Sequence, residues 1–150
     1  MTNNEVRQLA TTLLSEYGLD DWTFKFDRAV RRLGWCYYGT KTISLSEPLA
    51  RRNDISVIRN TILHEIAHAL IGPRAGHGPK WRAMARSIGA KPQACSSESV
   101  TVPPKLVAEC PRCNTQYGRH RAPSGPRACG SSACKQVSFG DKVLTWRRAR

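Results

Sequence analysis

The chain has 150 residues, 40% of them apolar, with six cysteines and a formal charge of +13 from 24 basic and 11 acidic side chains. That length suits one ordinary domain, or one core with a small metal-stapled appendage, and argues against a second large hydrophobic core. No apolar run of about 18 residues occurs and no basic-then-apolar leader opens the chain, so the expectation is a cytoplasmic protein with no membrane partner.

In chain order, Val6, Leu9, Ala10, Leu13, Leu14 and Tyr17 form an i, i+3, i+4 stripe over residues 3–17 that stops at Gly18, the pattern of an amphipathic helix. Trp22, Phe24 and Phe26 then alternate with Thr23, Lys25 and Asp27, as in a strand. Short strands around Leu33–Tyr38 and Thr42–Ser46, with a turn at Gly39, complete an expected antiparallel meander that Pro48 ends. Asn53 or Asp54 caps a long helix running to Ile71, with Ile55, Ile58, Ile62, Ile66 and Ala69 as its core stripe and Gly72-Pro73 as its stop. Pro79 suits the first turn of a further helix that ends at Gly89 and buries Trp81, Met84, Ala85 and Ile88. Residues 91–104 lack periodicity and read as a linker region before a cysteine-rich tail.

Residues 64–68 read His-Glu-Ile-Ala-His inside the long helix. A spacing of four puts His64 and His68 on one face, about one turn apart, so that two imidazoles converge on one ion. Glu65 adjoins that face without being a ligand. In this arrangement zinc brings the pKa of its water near neutrality, and Glu65 takes the proton as general base. A catalytic site needs a third protein ligand. The segment 69–97 contains no Asp or Glu, and His77, nine residues after His68 and just before the next helix, is the remaining candidate. Tyr37, Tyr38 and Arg82 are open candidates for the oxyanion-stabilising group.

HEIAHAL followed by GHGPKWRAMARSIG resembles the SprT-like (Spartan-type) metalloprotease domain, with HExxH on one helix and then a loop histidine, glycine and a tryptophan-bearing helix. The N-terminal helix and the strand ending Ile43-Ser44-Leu45-Ser46 fit the same layout. Metzincins fit less well: their third histidine follows the second by six residues with a glycine at three, whereas here the intervals are nine and four. The resemblance implies an α+β, zincin-like core made of an N-terminal helix, a small antiparallel sheet, the HExxH helix and a following helix. It also implies a zinc peptidase acting on proteins bound or crosslinked to DNA, with His64, His68 and His77 as ligands and Glu65 as base.

The tail carries Cys110 and Cys113, then a spacer of fifteen residues, then Cys129 and Cys134 with four between them. Two close pairs suit a closed tetrahedral site of four thiolates, each pair on a knuckle and the spacer forming a hairpin, in a small β zinc ribbon whose metal is structural. Two zinc ions are therefore expected, one catalytic and one structural. Cys36 and Cys95 read as buried or bystander thiols. Residues 1–100 carry 14 basic and 9 acidic groups, a net of +5, and residues 101–150 carry 10 and 2, a net of +8. A basic tail is the electrostatic footprint of a polyanion. Arg112, Arg119, Arg121, Arg127, Lys135, Arg147 and Arg148 are the expected nucleic-acid contacts, with Tyr117, Phe139 and Trp146 as stacking faces or ribbon core, binding DNA without sequence preference.

The expected layout is a metalloprotease domain over 1–95, a linker over 96–104 and the ribbon with its basic tail over 105–150, in a monomer. The alternative is a nucleic-acid-binding module whose HExxH site is only structural. Hydrolysis of a small amide is a third reading, because HExxH specifies water activation and not the substrate.

Overall fold

Helix α1 (Asn3–Glu16) starts at a capping box, in which the Thr2 hydroxyl accepts from the Glu5 N–H and the Glu5 carboxylate accepts from the Thr2 N–H. The computed structural model describes residues 2–93 and 100–149. It divides into two units, Met1–Val102 and Pro103–Arg150, a division that falls inside the stretch expected to be a linker. Val100 is tied to the first unit by reciprocal hydrogen bonds with the Asn53 side chain, 2.7 and 3.0 Å long.

In the first unit, β1 (Thr23–Asp27), β2 (Gly34–Tyr37) and β3 (Thr42–Ser46) form one sheet in the order β1-β3-β2. The expected antiparallel meander is corrected here. β3 pairs with β2 antiparallel but with β1 parallel, Thr23 opposite Thr42 and Asp27 opposite Ser46. The central place of β3 explains why all five of its residues are buried. Its two faces differ in chemistry. Ile43 and Leu45 enter the core, whereas Ser44 Oγ donates to Asp27 and Ser46 Oγ donates to the Ala29 carbonyl. These bonds satisfy hydroxyls that would otherwise be costly to bury.

Pro48 does more than end the sheet. It lies in the first turn of a short helix, α2 (Glu47–Ala50), capped by Ser46. Helix α3 (Ile55–Ile71) follows with Asp54 at its N-cap, and α4 (Pro79–Ser87) has proline in its first turn. Ile58, Ile62, Leu63 and Ile66 are fully buried, each contributing about 1.5–3 kcal/mol through burial. Ile55, expected in that stripe, is instead 50% exposed because it opens the helix before the helix reaches the core. Trp81, Ala85, Ile88 and the partly buried Met84 bring α4 onto the same core. No described helix is long and apolar enough to cross a membrane.

The second unit has a three-stranded antiparallel sheet in the order β5-β4-β6, from β4 (Leu106–Glu109), β5 (Gln116–Arg119) and β6 (Arg147–Arg148). The spacer between the cysteine pairs supplies only β5, not the hairpin expected of it. The hairpin is β4–β5, and its tip carries Cys110 and Cys113. The buried set here is Ala108, Leu144 and three cysteines, a core too small to hold about 48 residues by apolar burial alone.

Candidate active site and metal centres

One turn of α3 sets His64 above His68 with both rings half-buried. The chain then has to reverse to return a third ligand. Gly72 (φ +82°) and Gly76 (φ +49°) take left-handed conformations that other residues adopt only with strain, and between them the loop turns His77 back over α3. His77 Nε2 lies 2.9 Å from His64 Nε2 and 3.0 Å from His68 Nε2. Three ligand nitrogens tetrahedrally placed at about 2.0–2.1 Å from one zinc would be roughly 3.3 Å apart, so the donor set fits such an ion closely. Below them, the fully buried Trp81 ring contacts all three imidazoles, with centroids 4.5, 5.3 and 4.6 Å from those of His64, His68 and His77. That contact restricts the rings before any metal arrives.

The electrostatics suit ligation. Burial, and then the neighbouring histidines, push His64 down to about 3. Burial and His77 push His68 down to about 4, and burial followed by Arg82 lowers His77. Three neutral imidazoles at neutral pH present lone pairs to one point, an arrangement that a cation stabilises. Glu65 is 7% exposed, and burial raises its carboxyl to about 8 against the opposing pull of Arg32.

A cavity of about 460 Å³ opens beside the histidines, bordered by Glu65, Gly34, Cys36 and Tyr38 among others. Of the three oxyanion candidates, Tyr38 alone reaches this cavity. Burial, and then Cys36 and Glu65, hold its hydroxyl up at about 12, so it is a proton donor throughout the neutral range. Tyr37 is on the other face of β2, accepting from Arg32 at 3.3 Å, and Arg82 lies outside the cavity lining. Cys36 is buried as expected, its thiol pushed up to about 12 by burial and Glu65, while Cys95 lies outside the described residues.

In the second unit the sulfur atoms of Cys110, Cys113, Cys129 and Cys134 all lie within 4.8 Å of one another. Cys110 and Cys134 are 3.7 Å apart, and Cys113 and Cys129 are 3.6 Å apart. Tetrahedral thiolates at about 2.3 Å from a zinc would be roughly 3.8 Å apart, so this set fits as well. Thr115 holds the Cys113 thiol down at about 6, and the Tyr117 hydroxyl, 3.0 Å from Cys129 Sγ, lowers Cys129. Cys113 and the other crowded thiols hold Cys134 up at about 12. Four thiolates cannot share so small a volume without a cation among them.

Residues 3–102, two thirds of the chain and nearly all of the first unit, match the SprT-like family. The chain belongs to the SprT-like family. With that membership, the chain is a metalloprotease. No curated protein matches this SprT-like chain. Among solved structures it is similar to the metallopeptidase zymogen jannalysin of Methanocaldococcus jannaschii, at 19% identity and a TM-score of 0.49, over 55% of this chain and 79% of that one.

The basic residues of the SprT-like protein's second unit are where a ligand could reach them. Arg112, Arg119, Arg121, Arg127, Lys135, Arg147 and Arg148 are all exposed. Arg119 and Arg148 flank Leu106 across the sheet, and the Arg119 guanidinium lies 5.4 Å from the Trp146 ring centre. Phe139 is 58% exposed, whereas Tyr117 is occupied at the cysteine cluster, where it also accepts from the Gly130 N–H. Sequence reasoning missed Gly34, which β2 places against Glu65. The one available signal was a glycine opening an aromatic strand, a position that marks close backbone approach.

Proposed function

We propose that this SprT-like metalloprotease is a zinc-dependent endopeptidase that cleaves proteins bound or crosslinked to DNA. The observation that carries the reading is the convergence of three Nε2 atoms on one point, with a buried carboxylate lining the same cleft. In this reading His64, His68 and His77 hold the catalytic zinc. When bound, zinc lowers the pKa of a coordinated water towards neutrality and polarises the scissile carbonyl. Kept ionised by the dication that the three histidines hold, the buried Glu65 takes a proton from the attacking water and delivers it to the leaving nitrogen. Trp81 fixes the three rings, and the Tyr38 hydroxyl donates to the carbonyl oxygen as negative charge develops there.

Cys110, Cys113, Cys129 and Cys134 hold a second, structural zinc with no open position. That ion stabilises a ribbon whose exposed arginines recruit DNA through phosphate contacts. Two things support the DNA part: the net charge of +8 over residues 101–150, and the resemblance to Spartan-type enzymes. The test is to incubate the protein with a DNA-binding protein, with and without DNA and with and without a chelator. Cleavage is expected only when DNA and metal are both present. Cleavage that is indifferent to DNA would remove the recruitment role, and cleavage that survives complete metal removal would remove the mechanism.

A further inference from the structure

The ribbon is not the only surface with nucleic-acid chemistry. β2 alternates its side chains, with Gly34 and Cys36 towards the helices and Trp35 and Tyr37 on the outer face of the sheet. On that outer face a row of two adjoining rings with a cation at each end runs across the strands. Lys25 Nζ is 4.7 Å from the Tyr37 ring centre, Tyr37 meets Trp35 edge-on at 6.1 Å, and the Arg32 guanidinium lies 5.3 Å from the Trp35 ring centre. Arg32 is held there by Asp27 at 2.8 Å and by the Tyr37 hydroxyl. Trp35 nonetheless stays 50% exposed; Lys25 is exposed on the same face, and Arg31 is exposed at the cavity that Trp35 also borders.

Apart from the pull of Arg32 on Glu65, nothing in the peptidase chemistry uses this row. Its one acid, Asp27, is already bound by Arg32, Ser44 and the Ala29 N–H, so Lys25 and Arg31 carry the unbalanced charge. Arg31, Arg32 and Trp35 also border the cavity that holds the histidines, so whatever lies on this face ends at the mouth of the cleft. A pair of adjoining rings with a cation at each end suits the two halves of a nucleotide: a ring stacks on a base and the cations meet phosphates. An acidic peptide would satisfy the cations but would leave the half-exposed tryptophan without a partner. Because Arg32 is pinned in advance, little side-chain freedom is lost on binding.

We infer that the outer face of the β1-β3-β2 sheet, centred on Trp35 with Lys25, Arg31 and Arg32, is a binding surface for single-stranded nucleic acid on the catalytic unit itself. It leads the strand to the edge of the active-site cleft, so that protein attached to that strand is presented to Glu65. This role rests on the reading that the enzyme acts on DNA-associated protein.

The test uses the full chain loaded with zinc and a fluorescein-labelled oligothymidine of about 20 nucleotides, read by fluorescence anisotropy. Trp35→Ala is expected to weaken binding by about tenfold, the loss of one base stack, while Trp35→Phe stays near wild type. Arg31→Ala is expected to reduce the slope of log affinity against log salt by about 0.7, one phosphate contact on a single strand. Ultraviolet crosslinking of an iodouracil-substituted oligonucleotide is expected to label the peptide that contains Trp35 and Tyr37. Trp35→Ala binding as tightly as wild type, with labelling confined to residues 103–150, would overturn the proposal and leave ribbon recruitment standing. Displacement of the oligonucleotide by polyglutamate, with polyglutamate binding itself weakened by Arg31→Ala but not by Trp35→Ala, would overturn it in favour of an acidic protein partner. Trp35-dependent DNA binding without any cleavage of a DNA-bound protein would uphold the surface and sink the endopeptidase reading instead.

Discussion

A β-carbon added to Gly34 would lie 2.5 Å from Oε1 of Glu65 and 2.8 Å from Cγ2 of Thr61. The edge strand is thus seated on the HExxH helix so closely that only a hydrogen fits between them, and that contact helps fix the Glu65 carboxylate. Gly34→Ala is expected to displace the carboxylate before it displaces backbone, because the carboxylate is the more movable neighbour. Turnover should fall by about a hundredfold, as for a reacting group misplaced by about 1 Å, with KM and metal content close to wild type. Steady-state kinetics with metal analysis on the same samples check this, and equal losses of metal and activity would contradict it.

His77 is brought to the site by a loop, whereas His64 and His68 share one helix, so removing it tests the third ligand without removing the helical pair. His77→Ala is expected to retain the fold, because the side chain is only half-buried. It should lose one equivalent of zinc and all measurable cleavage. The remaining equivalent should stay with the cysteine cluster. Zinc titration with a colorimetric chelator separates the two populations, and a variant that keeps both equivalents would reassign the ligand.

The second unit is predicted to fold only with its metal. Cys113→Ser, or chelation strong enough to strip the cluster, removes binding energy on the order of 10–16 kcal/mol at neutral pH, which a core of Ala108, Leu144 and the cysteines does not replace. Amide resonances of residues 103–150 should collapse to random-coil positions while those of the first unit stay dispersed. DNA binding by the ribbon should fall with them.

Asp27 gives the first unit an acid-sensitive element distant in role from the metal. Burial raises its carboxyl, but the Ala29 N–H, the Ser44 hydroxyl and Arg32 outweigh that and hold it below its ordinary value of 3.8. A depressed carboxylate stabilises the fold fully above the unfolded-state value, and the contribution is lost as the pH falls through the lower folded-state value. Asp27→Asn is therefore expected to cost about 2 kcal/mol at neutral pH, and the gap to wild type should close below about pH 4. Urea denaturation across that range measures it, and a pH-independent gap would exclude the charge as the cause.

Much of the site was legible because its parts are local. HExxH spacing on a capped helix, a helix stop and an acid-free segment after it lead to His77 without knowledge of the fold, and cysteine spacing does the same for the second centre. What was not legible is non-local. Alternation identifies β1, β2 and β3 but not their order, and the order β1-β3-β2 seats β3 between two strands that precede it in the chain. Pro48 reads equally as a strand terminator and as a first-turn residue of α2, and the Ser46 cap decides between them. The helical period placed Ile55 in the core stripe, but a stripe does not say where along its length the core begins. Gly34 and Trp81 acquire their roles only once strand and helix are packed against the ligands.

The most direct test of the account is Glu65→Gln, which keeps the size of the side chain and removes the base. Zinc content, thermal stability and binding of a DNA-bound protein substrate should match wild type, while single-turnover cleavage falls by about a hundredfold to ten-thousandfold. Cleavage by Glu65→Gln at the wild-type rate, with both zinc ions present, would contradict the assignment of this cleft as the peptidase site.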